Sequence, residues 1–336
     1  MPSSSHSSAE TRAHPTIYDI HAAAERIKGK AVLTPLLESP ALNAKLGGRL
    51  FIKAEPLQRT GSFKFRGAYN TLVQLDERQR RAGVVTYSSG NHAQGVAAAA
   101  QLLGIPATIA MPKDAPAIKI ANTKSYGAEV VLFDRYTENR EEVGRRIATE
   151  RGAVIVAPYD EPQVIAGQGT AGLEIAQQAR AMGAKLDAVI VCTGGGGLTA
   201  GIATAIAAES PGTAVYTSEP ADFDDTRRSL LAGERVSNDP KARSICDALL
   251  VPTPGALTFA INKRLVKGGF AVTDAEAMHA MATAFDTLKL VVEPGGAVAL
   301  AAVLSGKFPI VGKTVAVTAS GGNVDRETYI AALRQS

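Results

Sequence analysis

Residues 188–208 read AVIVCTGGGGLTAGIATAIAA and constrain the fold more than any other stretch. A short apolar run meets four glycines, and an alanine-rich segment follows. The run is continuously apolar rather than alternating, which predicts a strand buried on both faces. Such a strand needs helices above and below it, and the segment after the glycines supplies one. Four successive glycines cost backbone entropy that a plain strand-to-helix turn does not require. They offer bare backbone at a helix N-terminus, where amides and the helix dipole favour a phosphate. Gly195, Gly197 and Ala200 also satisfy the G-x-G-x-x-A form of a dinucleotide fingerprint, with Glu219 about 20 residues further on at a strand end. On these residues alone, both kinds of phosphate ligand stay open.

The same grammar runs along the chain. Continuous apolar runs occupy 84–87, 107–111, 129–133, 154–157, 188–192, 214–217 and 314–318. Helical stretches occupy 93–103, 118–125, 138–150, 168–182, 198–208, 275–287 and 297–304. This alternation predicts an α/β fold with parallel-type sheets flanked by helices. The 336 residues are enough to bury a core without staples. No internal repeat is visible, and no linker rich in Pro, Gly or Ser divides the chain after residue 15. Two lobes interleaved in sequence are therefore expected.

Several classes are excluded. Residues 1–15 are Ser-rich and polar, which predicts a disordered tail and no signal peptide. The uncharged runs 93–112 and 188–208 are broken by Gly, Pro or Gln, so neither reads as a membrane span. Lys plus Arg (36) exceeds Asp plus Glu (32) by only four, and the Arg-Arg steps are scattered, so no nucleic-acid surface is expected. Cys192 and Cys246 cannot build a disulfide framework or a zinc site alone, and suit a reducing cytoplasm.

Three further motifs carry chemistry. In RTGSFKFRG (59–67), Lys64 lies among small, apolar and hydroxyl residues. Desolvation there would lower its pKa and give an amine fit for a Schiff base, and Arg66 would push the same way. On spacing alone, a solvated lysine on an amphipathic turn is the plainer reading. SSGNHAQG (88–95) follows one apolar run and opens a helix, so its hydroxyls, amide and backbone N–H groups suit a carboxylate. Ser88 and Asn91 could equally be helix caps. Ser89 lacks a G-x-S-x-G elbow, which argues against a serine hydrolase. TASGGN (318–323) places a hydroxyl and two glycines at a strand end, and alone it reads as a turn.

In this order, RTGSFKFRG, SSGNHAQG, GGGGLTAG and SGGN resemble the fold-type II pyridoxal phosphate enzymes, and among them the serine/threonine dehydratase and serine racemase family. EPQVIAGQGT (161–170) and VVEPGGAVALAAVLSGK (291–307) are similar to that family too, and the likeness runs from Tyr18 to Leu333. The resemblance implies a two-lobed fold of the tryptophan synthase β type. Residues 79–153 would form a small lobe inserted into a large cofactor-binding lobe of 16–78 and 154–336. It implies Lys64 as the Schiff-base lysine, Phe63 beside the cofactor ring and Asn91 at its phenolic oxygen. Gly194, Gly195, Gly196, Gly197 and Leu198 would hold the phosphate, and Ser320 would face the pyridine nitrogen. Ser88, Ser89, Asn91 and His92 would hold the substrate carboxylate, with Arg140 on the same side. Ser89 matches the racemase serine on the face opposite the lysine. Glu219, Phe223 and Asp225 match racemase metal positions for magnesium or calcium, Phe223 through its carbonyl.

The implied activity is a dehydratase of the ammonia-lyase type, turning a 3-hydroxy amino acid such as L-threonine or L-serine into a 2-oxo acid and ammonia. Serine racemisation, and ammonia-lyase action on 3-hydroxyaspartate or an aryl-serine, are the near alternatives. An NAD-dependent oxidoreductase is the distant one. The implied partners are the amino-acid substrate and further copies of the chain, as a homodimer or homotetramer. Two segments depart from the family pattern. SICDA (244–248) replaces the usual A-D-G, and Tyr159 stands where Asn is common. Both are expected near the substrate side chain or the ring, so the choice of hydroxy amino acid stays open.

Overall fold

The computed structural model describes residues 14–88, 90–115, 117–134 and 136–334. Up to Ala13, the expected tail lies outside the described residues, as does Ser89. The strands are β1 (Leu36–Glu38), β2 (Arg49–Ala54), β3 (Val84–Tyr87), β4 (Ala107–Pro112), β5 (Glu129–Phe133), β6 (Val154–Ile155), β7 (Ala188–Cys192), β8 (Ala214–Pro220), β9 (Val266–Val272) and β10 (Thr314–Ala319). One sheet has the order β1-β2-β10-β7-β8-β9 and the other β5-β4-β3-β6. Every pairing among them is parallel except β1 with β2. The α/β class with parallel-type sheets is as the sequence predicts.

The reason for continuous apolar strands is visible at β7. Ile190 and Cys192 pack with the helices Asp274–Leu288 and Pro294–Leu304. Val189 and Val191 point the other way, onto Pro162–Ala181 and Gly197–Glu209. Both faces of the strand are covered, so neither alternate position can be polar. The second sheet repeats the pattern at β3. Val84 packs with the helix Asn91–Leu103, and Val85 with Arg140–Arg151.

Parallel strands bring the same end of each strand to one edge. The segments after β2, β3, β7 and β10 therefore gather at the carboxyl ends, where parallel α/β sheets bind ligands. These segments are RTGSFKFRG, SSGNHAQG, the four glycines and SGGN. Among the described residues no helix is long and apolar enough to cross a membrane.

Candidate active site

The four segments line one cavity of about 610 Å³. Its glycine-rich wall follows from β7. After Cys192 the chain reaches Gly196, which adopts φ 91° and caps the helix Gly197–Glu209. That left-handed conformation suits glycine alone among common residues. The loop's carbonyls are tied back from behind. Thr258 Oγ1 donates to Gly195 O at 2.7 Å, and Asn262 Nδ2 donates to Gly196 O at 3.4 Å. The loop lines the cavity at the positive end of a 13-residue helix. Tyr159 packs flat on the loop, so that a Cβ on Gly195 would lie 2.3 Å from the tyrosine Cγ.

Lys64 opens the helix Lys64–Leu72 and faces this wall. Its Nζ lies 5.1 Å from the Phe63 ring centre and donates to Pro158 O at 2.6 Å. No carboxylate pairs with it among the described residues. Burial alone lowers its pKa to about 8. Arg66 does not contribute as the sequence suggested. It points away from the cavity, fully buried between Glu55 and Glu174. Ser320 is buried and lines the same cavity, and its carbonyl accepts from Phe63 N at 3.2 Å, which ties the end of β10 to the segment before Lys64.

The predicted carboxylate-binding residues divide. Asn91 lines the cavity at the first position of the helix Asn91–Leu103. It does not cap that helix: its amide bonds to Glu293 and Asn323 instead. Ser88 lines the cavity, and its Oγ accepts from Gly90 N at 3.3 Å, ahead of the helix and not as the cap considered for it. His92 lines the cavity but turns Nε2 to Val156 O at 3.0 Å, leaving Nδ1 buried without a partner among the described residues. Burial, followed by the nearby Lys64 charge, lowers its pKa to about 3, so it offers no cation to a carboxylate. Arg140 lines the cavity from the start of Arg140–Arg151. Tyr159 and the 244–248 segment line it as well.

A model of the family described as "Pyridoxal-phosphate dependent enzyme" matches residues 28–321. The chain belongs to the pyridoxal-phosphate dependent enzyme family. It is 46% identical to a Pseudomonas protein named L-threo-3-hydroxyaspartate ammonia-lyase, over 94% of this chain and 98% of that one. It is 43% identical to a serine racemase of Schizosaccharomyces pombe, over 96% and 98% respectively. Among solved structures, maize serine racemase superposes with a TM-score of 0.89 at 38% identity, covering 96% of this chain and 98% of that one.

The residues present fit the family's cofactor. An amine of lowered pKa, a cradle of bare amides at a helix start, and a buried hydroxyl face one cavity. Gly195→Ala tests the cradle, because the added Cβ must displace Tyr159 or the loop. It is expected to weaken pyridoxal phosphate binding about tenfold. Titration of the cofactor's visible band measures this, and an unchanged dissociation constant would mean the loop does not hold the phosphate.

Glu219 stands apart from the cavity. It is fully buried, and its carboxylate accepts from Thr226 N at 2.9 Å and Arg227 N at 2.8 Å. A ribose could not reach it, which removes the physical basis of the dinucleotide alternative. Asp225, which lies in the same buried cluster, accepts from Asn238 Nδ2 at 2.7 Å through one oxygen. The metal expectation gains no cluster of three or more His, Cys, Asp or Glu among the described residues. Glu293 and Asn323 are among the residues of the cavity wall with no role assigned from sequence. Glu293 had a signal, as a lone acid within the apolar run 290–304.

Proposed function

We propose that this chain is an ammonia-lyase that eliminates water from a 3-hydroxy amino acid and releases a 2-oxo acid and ammonia. The observation that carries the reading is Lys64, a desolvated amine without a counter-charge among the described residues, lining the same cavity as the glycine loop. The similar proteins named as ammonia-lyases support it. Bound pyridoxal phosphate would supply the electron sink for negative charge at the substrate α-carbon. The chain's residues would do the rest. The amides of Gly194 to Leu198 would hold the phosphate, and the Ser320 hydroxyl would meet the ring nitrogen. Phe63 would flank the ring, and Asn91 would bond its phenolic oxygen. Arg140, Ser88 and the backbone at Asn91 and His92 would orient the carboxylate. The Lys64 Nζ would take the α-proton and return it to the departing β-hydroxyl, which leaves as water. A second water is consumed when ammonia departs, so the atoms balance. A neutral hydroxyl at the ring nitrogen suits elimination over transamination. The test is 2-oxo acid release from L-threonine, L-serine and L-threo-3-hydroxyaspartate by the cofactor-loaded protein. Silence on all three would overturn the reading.

Racemisation is the second reading, supported by similar proteins named serine racemase. Ser89 would supply the proton on the face away from Lys64. Ser89→Ala is expected to remove D-serine formation while sparing more of the elimination, and equal loss of both would make Ser89 a carboxylate ligand only.

We further propose a structural magnesium or calcium ion at Glu219, Asp225 and the Phe223 carbonyl. The support is Asp225 Oδ2, which is buried and has no hydrogen-bond partner among the described residues. Buried polar atoms seldom go unsatisfied, and an all-oxygen donor set suits a hard cation. Chelation is expected to lower the melting temperature and activity, and added magnesium to restore both. Asp225→Ala should abolish that response; chelated protein with an unchanged melting temperature overturns the site.

The lobe boundaries, 79–153 inserted in 16–78 and 154–336, are proposed on β3, β4 and β5 of the second sheet, which lie between Val84 and Phe133; its fourth strand, β6 (Val154–Ile155), falls just past the second boundary. A cytoplasmic setting is proposed on the two free, buried thiols. A homodimer or homotetramer is proposed on the exposed Leu33 and Leu57, and sedimentation would measure it.

A further inference from the structure

An asparagine amide can be turned end for end, which exchanges a donor for an acceptor. At Asn91 two neighbours decide the orientation. Asn323 Nδ2 donates to Asn91 Oδ1 at 2.7 Å, and Asn91 Nδ2 donates to Glu293 Oε1 at 2.6 Å. Neither neighbour is free to swing away. Asn323 Nδ2 is also bound to Thr60 O at 2.7 Å. Thr60 itself sits at φ 62°, a conformation costly for a β-branched residue. Glu293 is 3% exposed, and a Cβ on Gly321 would lie 2.1 Å from its Oε1. The Asn91 NH₂ group carries two hydrogens, and Glu293 uses one.

We propose that Glu293 and Asn323 are positioning residues that hold the Asn91 carboxamide with its NH₂ group toward the oxygen-bearing edge of the cofactor. This rests on the pyridoxal phosphate reading above. An oxygen on that edge accepts, so the observed orientation attracts it and the flipped one sets two acceptors face to face. Glu293's own state is consistent with this role. Burial first and the Asp247 charge second push its carboxyl up to about 8, against the pull of the Asn91 hydrogen bond and Lys119. Near neutral pH it is mostly an uncharged acid, the shape of a glutamine with its carbonyl oxygen toward Asn91.

The test titrates pyridoxal phosphate into apoprotein and reads the dissociation constant and the position of the visible band. Melting temperatures are measured without cofactor. E293Q should bind within about threefold of the unaltered protein, whereas E293A should bind about tenfold more weakly with a shifted band. N323D keeps the side-chain shape but replaces a donor by an acceptor, so it should turn the Asn91 amide round and weaken binding at least as much as E293A. If E293A and N323D both keep the original dissociation constant and band and lose only melting temperature, the pair is structural and the proposal falls. Should E293A fail to fold, N323D alone decides by the same criterion. Unaltered protein that forms no visible band would instead overturn the cofactor reading.

Discussion

Lys64→Ala is expected to lower turnover by at least about 10³-fold while the fold survives. The loss follows because, among the described residues that line the cavity, no second amine is free to take its place. Lys119 also lines the cavity, but its ammonium is paired with Asp247. The fold should survive because Lys64 contributes one hydrogen bond, to Pro158 O, and removing a desolvated charge offsets that loss. Circular dichroism and melting temperature should stay near those of the unaltered protein. Borohydride reduction followed by peptide mapping should place the pyridoxyl group on Lys64; a label on Lys119 would reassign the site. The lowered pKa adds a pH test. An amine attacks only when neutral. With a pKa of about 8, roughly a tenth of Lys64 is neutral at pH 7, against well under a thousandth for an ordinary lysine. Cofactor capture by the apoprotein should therefore rise with pH and level off above about pH 8. A rate still climbing at pH 10 would mean a solvated lysine.

What the sequence showed and what it hid divide by range along the chain. The runs 84–87 and 188–192 are strands with those bounds because burial on both faces leaves an unbroken apolar record, whereas 129–133 has its expected bounds as an edge strand whose side chains are mostly exposed or half-buried. β2 was hidden because it carries Lys53 within its apolar run. That ammonium is fully buried against Glu174, 121 positions away, and no local pattern announces such a partner. β9 was hidden by Gly268 and Gly269 at its centre and by an edge position that leaves it half-buried. The site divides the same way. The glycine loop and Lys64 announce themselves because their chemistry is local. Glu293 reaches Asn91 across 202 positions, so its place in the site could only be seen once the fold was known. The direction of a side chain is equally non-local. His92 turns to Val156, and Arg66 turns away from its neighbour Lys64, although both stand where the motifs put them.

Arg66 carries the largest expected stability effect. Its guanidinium binds Glu55 through two nitrogens at 2.9 and 2.8 Å and Glu174 at 2.6 and 2.8 Å. Arg66 and Glu55 are fully buried, and Glu174 is 14% exposed. The cluster joins the helix that begins at Lys64 to the segment after β2 and to the helix Pro162–Ala181. Intact, the four charges Lys53, Glu55, Arg66 and Glu174 sum to zero. Arg66→Met leaves two carboxylates with Lys53, which bonds to Glu174 and not to Glu55. Glu55 then keeps only the Thr34 hydroxyl as a direct partner, a buried charge without its counter-ion. Breaking a buried pair in this way costs about 3–5 kcal/mol. The melting temperature should fall by roughly 4–7 °C. Lys53→Met should cost less, because Arg66 still neutralises Glu174. Pairing Arg66→Met with Glu55→Met should recover part of the loss, since no carboxylate is then stranded. Urea unfolding of the four proteins with a common slope measures the order. If Arg66→Met melts within about 2 °C of the unaltered protein, the network does not stabilise the fold. Because the helix holding Arg66 also begins at Lys64, turnover in Arg66→Met should fall even at temperatures where the variant remains folded.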